Sequence, residues 1–212
     1  MKSVIIGAGT YGEVYLSYLR DAGVDVAGFL DDNEKLHGAI IRGVPVLGST
    51  DLLYSLKQTD GIDSVYCPIG NNRLRVKFLS LAMSLGYKTP CYIHPSVEMS
   101  SNVLLGNGVY VLLGTHIMPY VNIKDFVMIS MGVNIAHHSI LEEGTFISTG
   151  VNFGASICAK KNSYIGIGST IMTGVKTLGE DCLIGAGAVV IKDVPDRAVM
   201  AGVPAKVLRI KD

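Results

Sequence analysis

From residue 97 onward the chain repeats every six residues. One row reads Val97, Val103, Val109, Thr115, Val121, Val127 and Val133, and continues in register to Val175. A second row, two residues on, reads Met99, Leu105, Val111, Ile117, Ile123, Ile129 and Ile135, and runs to Thr177. Neither row holds a charged residue. A helix needs an apolar period of about 3.6 and a plain strand a period of about 2. A period of six with two inward positions fits a chain wound in flat coils. Each side of a coil is then a short strand, and stacked coils bury both rows inside a prism. One residue is inserted after Thr177, and the pattern resumes with Cys182, Ile184, Ala188 and Val190.

The first ninety residues read differently. Val4-Ile5-Ile6 is a strand, followed by Gly7-Ala8-Gly9-Thr10-Tyr11-Gly12 and a helical pattern to about Ala22. That is a G-x-G-x-x-G between strand and helix, where bare backbone can approach a phosphate at the positive helix end. A second strand, residues 24–30, ends at Asp31-Asp32. Asp31 stands 19 residues after Gly12, near the spacing of an acid that meets a ribose hydroxyl. A tight turn beside an acidic loop fits the same residues. Residues 50–57 read as a helix, residues 64–69 as a third strand and residues 74–85 as a third helix. The order βαβαβα is half of a doubly wound nucleotide-binding fold. Asn71 and Arg73 lie at the C-terminal end of the third strand, where ligands of such sheets bind; Arg73 suits a phosphate or a helix start equally. The expected domains are 1-92, a nucleotide-binding α/β domain, and 93-212, the coiled domain.

Composition narrows the partners. Eighteen basic and 18 acidic residues give zero formal charge, and no Lys/Arg cluster runs along the chain. Nucleic acid and anionic membrane surfaces are therefore not expected. No stretch approaches the roughly 20 apolar residues of a membrane span, and the first residues read as a strand rather than a signal peptide. A hydrophobic share of 49% predicts buried subunit contacts. Cys67, Cys91, Cys158 and Cys182 lack metal-ligand spacing, which predicts free thiols in a reducing cytoplasm and no metal site.

His137 and His138 sit between the inward residues Ile135 and Ser139, so both fall near a coil corner. Two surface histidines fit that spacing, and so does a catalytic pair. An imidazole, with an ordinary pKa of about 6.5, can take the proton a nucleophile loses at neutral pH. Gly154-Ala155 offers backbone N–H groups for an oxyanion or for a thioester cofactor.

The units Leu105-Gly106-Asn107-Gly108-Val109, Ile165-Gly166-Ile167-Gly168-Ser169 and Ile184-Gly185-Ala186-Gly187-Ala188 resemble the hexapeptide repeat of left-handed β-helix acyltransferases. The ending Ala201-Gly202-Val203-Pro204-Ala205-Lys206 is similar to theirs. A small nucleotide-binding domain before such a helix resembles the PglD-type nucleotide-amino-sugar N-acetyltransferases and the related NeuD-type sialic acid O-acetyltransferases. The resemblance implies an α/β N-terminal half-Rossmann domain followed by a C-terminal left-handed parallel β-helix, assembled as a homotrimer. It implies acetyl transfer from acetyl-CoA, without a metal, to the amino group of a nucleotide-linked sugar. A UDP- or dTDP-4-amino-4,6-dideoxy sugar destined for a surface glycan is the type, and O-acetylation of a sugar hydroxyl is the alternative. It assigns the general base to His137, nucleotide-sugar contacts to Gly9, Thr10, Tyr11, Asp31 and Asp32, and acetyl-CoA contacts to Ile167 and Gly185. The family often has Glu or Asp after its histidine, where this chain has His138. It commonly has Gly-His where this chain has Thr10-Tyr11, and can have a His where Phe146 stands.

Overall fold

The computed structural model describes residues 1–212. It divides into two units, Met1–Pro90 and Cys91–Asp212. The break falls two residues before the expected one because Tyr92–Ile93 is already a strand of the coils, paired in parallel with Tyr110–Val111.

The first unit is built on β1 (Lys2–Ile6), α1 (Thr10–Asp21), β2 (Asp25–Leu30), β3 (Ile40–Ile41), β4 (Val44–Gly48), α2 (Leu56–Thr59), β5 (Ser64–Tyr66) and α3 (Asn72–Ser84). The sheet order is β3-β4-β2-β1-β5. All pairs are parallel except β3 with β4, a short hairpin edge that the sequence pattern did not reveal. The chain reverses direction across the sheet beside β1, so the loops after β1, β2 and β5 gather at a topological switch point. The helix expected over 50–57 is broken into a 3₁₀ turn, Thr50–Tyr54, and α2. The Tyr87 hydroxyl causes the break: it donates to Leu53 O at 2.8 Å and accepts from Lys57 N–H at 2.9 Å. A side chain thus stands where the i to i−4 backbone bond would close.

The second unit is a left-handed β-helix of three parallel faces. The asparagine face stacks Glu98–Met99, His116–Ile117, Asn134–Ile135, Asn152–Phe153, Thr170–Ile171 and Val189–Val190. The charged face stacks Leu104–Leu105, Asn122–Ile123, Ile140–Leu141, Cys158–Ala159 and Thr177–Leu178. The aromatic face runs from Tyr92–Ile93 to Leu183–Ile184 and ends in the antiparallel hairpin of Ala198–Gly202 and Ala205–Ile210. Partners across a face stand 18 residues apart, for example His116 with Asn134. Both hexad rows point inward, and Val121, Ile123, Ile129, Leu141, Ile147 and Ile165 are fully buried. Hydroxyl members of the first row serve the corners: Thr115 Oγ1 donates to Ser130 O at 3.0 Å, and Ser139 Oγ to Gly154 O at 3.0 Å.

One inward position differs from expectation. Leu178, not Thr177, is the buried residue paired with Ala159, so the extra residue lies between Val175 and Leu178 rather than after Thr177. The spare N–H groups of Lys176 and Thr177 both donate to Asp193 Oδ1, at 2.6 and 3.2 Å. Those two bonds hold the Asp193 carboxyl below its usual range.

Each coil turns at corners that require a left-handed residue. Where the aromatic face meets the asparagine face, every such residue is glycine: Gly114, Gly132, Gly150, Gly168 and Gly187, with φ between 63° and 69°. Where the asparagine face meets the charged face they are Tyr120, His138 and Ser156, with φ of 65°, 60° and 58°, and then Gly174, at 109°, in the turn that holds the extra residue. At the first three, side chains occupy positions that glycine would fill with less strain.

Candidate active site

The glycine loop after β1 is fixed by one close approach. A Cβ on Gly12 would overlap the Gly7 carbonyl oxygen, so α1 can lie on β1 only with glycine there. A Cβ on Gly9 would meet nothing within 4 Å, so no protein atom demands that bareness. Gly9 and Thr10 are exposed, Tyr11 is half-buried, and α1 starts without a side-chain cap. Twelve residues of aligned dipole therefore open onto a bare loop, the arrangement that receives phosphate.

Asp31 lies beside this loop. One carboxylate oxygen accepts from Ala8 N–H at 2.8 Å, and the other from Asn33 N–H at 2.9 Å. It fastens the loop to the end of β2. Asp32 is exposed; its Oδ1 takes both donors of Thr50, at 2.9 and 2.8 Å. Asn71 caps α3, accepting from Leu74 N–H at 3.1 Å, which is the helix-start role. Arg73 is exposed in the first turn of α3. Sequence reasoning missed Arg75, which is fully buried and donates to Ile69 O at 2.8 Å and Asn72 Oδ1 at 3.0 Å. It secures the loop after β5. An arginine in a helix ordinarily signals solvent, so no pattern pointed to it.

In the β-helix, His137 and His138 occupy the corner after Asn134–Ile135, both exposed. Their Nδ1 atoms are 3.0 Å apart. Tyr120, one coil earlier, lays its ring against His138, with centroids 4.8 Å apart. Gly154 and Ala155 lie one coil later on the same corner, where Ser156 N–H donates to His137 O at 3.0 Å. Gly154 is not the free donor expected, since its N–H is committed to Ile171 O at 3.0 Å. Ala155 N–H meets only the Thr173 hydroxyl, at 3.2 Å. The next acids in sequence belong to another corner: Glu142 accepts from Lys161 N–H at 3.1 Å, and Glu143 pairs with Lys161 Nζ at 3.4 Å.

Beside the histidine corner the asparagine face carries a groove of about 520 Å³, with Ala136 and Gly154 between Met118 and Met172. A polar ladder flanks it, His116 Nδ1 to Asn134 Oδ1 at 3.1 Å and Asn134 Nδ2 to Asn152 Oδ1 at 3.0 Å. Ile167 and Gly185 lie at the glycine corner and the end of the aromatic face, one prism edge away from His137. Phe146 stacks on Tyr164, with rings 5.0 Å apart and within 2° of parallel, as a packing residue. All four thiols have raised pKa values. Burial pushes Cys67 and Cys182 up to about 12 and also lifts Cys91 and Cys158.

Residues 2–81 match the family described as the PglD N-terminal domain. Perosamine N-acetyltransferase from Caulobacter crescentus, solved as a histidine-to-asparagine mutant in complex with CoA and GDP-perosamine, is 32% identical. The match covers 98% of this chain and 96% of that one, with a TM-score of 0.92. This chain belongs to the PglD-type sugar N-acetyltransferases. The acetyltransferase domain of PglB from Neisseria gonorrhoeae, solved with acetyl coenzyme A, is 30% identical within this family. It covers 98% of both chains, with a TM-score of 0.88. Among curated relatives, galactoside O-acetyltransferase of Escherichia coli K12 is 33% identical over 122 residues, 56% of this chain. A tetrahydropyridine-dicarboxylate N-acetyltransferase of Enterococcus faecalis is 42% identical over 55 residues, 26% of this chain. The chain spans 60% and 23% of the length of these curated relatives. No helix is long and apolar enough to cross a membrane.

Proposed function

We propose that this family member transfers an acetyl group from acetyl-CoA to the amino group of a nucleotide diphosphate-linked sugar, with His137 as general base. The observation that carries this reading is the exposed histidine pair on one β-helix corner. The chain around it aligns along nearly its whole length with an N-acetyltransferase that binds CoA and a GDP-linked sugar.

The amine nitrogen attacks the thioester carbonyl, a C–N bond forms, and the amine proton passes to His137 Nε2. The C–S bond then breaks, and His137 returns the proton to the departing thiolate. Ala155 N–H, whose present partner is a rotatable hydroxyl, is the donor we assign to the oxyanion. The raised cysteines support direct transfer, because none is a ready thiolate at neutral pH. Gly9, Thr10, Tyr11 and Asp32 hold the nucleotide sugar at the helix end, with Arg73 toward its phosphates. Ile167, Gly185 and the small-floored groove hold the pantetheine arm. His137 and Ile167 lie on different edges of one prism, which favours a homotrimer with active sites between subunits. The four cysteines form no disulfide, which favours the cytoplasm.

His137→Asn tests the base. Since the proton moves only in the transition state, kcat should fall about 10²–10⁴-fold, with KM for both substrates within a few-fold. Full activity in this variant would remove the base from this corner.

A further inference from the structure

We propose that His138, held by Tyr120, is a positioning residue that selects the catalytic tautomer of His137 by accepting its Nδ1 proton. This rests on the reading of His137 as the base. A hydrogen bond between two Nδ1 atoms 3.0 Å apart needs one donor and one lone pair. Two arrangements satisfy it, and only one can catalyse. If His138 donates, the neutral His137 carries its hydrogen on Nε2 and has no lone pair there for a substrate proton. If His137 donates, its Nε2 is bare. When Nε2 then takes the amine proton, the imidazolium keeps its Nδ1–H on a neutral acceptor, so the pair need not reorganise during the reaction.

Three observations describe how His138 is held. Its backbone sits at φ 60°, in the left-handed turn that Tyr120 and Ser156 also make at this corner, which fixes where its side chain leaves the coil. Its N–H reaches Pro119 O at 3.3 Å, against 2.8–3.0 Å at the glycine corner's Gly132, Gly150 and Gly168. Its ring is braced by Tyr120 and stands at 88° to the His137 ring. Glu142 and Glu143 are engaged with Lys161 on another corner. The one polar bond of the side chain at 138 is to the base.

The test uses two variants of the full chain. His138→Gly suits the left-handed corner and removes the acceptor; His138→Glu restores an acceptor that cannot donate when ionised. With acetyl-CoA and GDP-perosamine as the probe pair, His138→Gly should keep or raise Tm. Its kcat should fall about ten- to a hundredfold, as for other partners that orient a histidine, and both KM values should stay within a few-fold. His138→Glu should recover kcat to within about threefold. Independently of any substrate, ¹⁵N-histidine NMR of the wild type should report His137 protonated at Nδ1, and that signature should be lost in His138→Gly. Wild-type kcat in His138→Gly, no rescue by His138→Glu, or a wild-type His137 protonated at Nε2 would each overturn the proposal. Wild-type kcat in His138→Gly beside an inactive His137→Asn would leave the base reading standing alone.

Discussion

At Asp31 both carboxylate oxygens are claimed by backbone, one from the glycine loop and one from the turn after β2. Asp31→Ala would leave the part-buried Ala8 N–H without its acceptor, at a cost of about 1–3 kcal/mol. The expected outcome is a Tm lowered by a few degrees, together with a KM for the nucleotide sugar raised tenfold or more and a KM for acetyl-CoA nearly unchanged. An unchanged Tm in a melting assay would return Asp31 to the role of a free ligand acceptor. Spacing found this residue but not its backbone bonds, because spacing cannot tell which lone pairs the local chain will use. The histidine pair was legible for a simpler reason: the hexad rows fix which residues point inward, and His137 and His138 fall between two that do. The buried thiols give a pH prediction. Desolvation raises Cys67 from 9.0 to about 12, opposed by the Arg75 charge, and raises Cys182 likewise. The folded chain keeps these protons where the unfolded chain loses them. Their contribution is therefore complete below pH 9.0 and is lost as pH rises toward 12. Urea midpoints should fall over that window, and less steeply in Cys67→Ala.

Elements were easiest to read where period alone decides them. The two uncharged rows define the β-helix because a coil has room inside for nothing else. The misplaced insertion shows the limit of that reading. Thr177 and Leu178 both suit an inward position, and only the pairing of Leu178 with Ala159 separates them. Leu178→Ala should cost about 2–5 kcal/mol in denaturant unfolding, whereas Thr177→Ala should stay near the small effects of surface changes. The reverse ranking would mean that the slip lies where the sequence pattern put it. The broken helix after β4 was illegible because its cause, the Tyr87 hydroxyl, comes from thirty residues further on. Tyr87→Phe removes both of its bonds and should lower Tm by several degrees.

For the whole molecule, assembly is the clearest test. Exposed Met118, Met131, Ile140, Ile167 and Met172 are apolar surface of the kind subunits cover. Light scattering should give three copies of the 22.6 kDa chain, about 68 kDa; a monomer mass at micromolar concentration would refute the trimer. Thermal-shift screening with GDP, UDP and dTDP should find a single preferred nucleotide, since only a ligand that binds the folded form raises Tm. The stack has one more consequence, for how such a chain can change length over evolutionary time. Eighteen residues close one coil and return every corner to its column. Copying residues 139–156 once would raise the prism by a single storey of about 4.8 Å and leave everything above merely lifted. Adding one residue in the middle would instead turn all later faces out of line, unless a carboxylate stood ready, as Asp193 does, to take up the stray N–H groups. Height in this half of the molecule is thus counted in whole turns. Descendants that differ by eighteen residues should fold as readily as the parent, while those that differ by one should be rare.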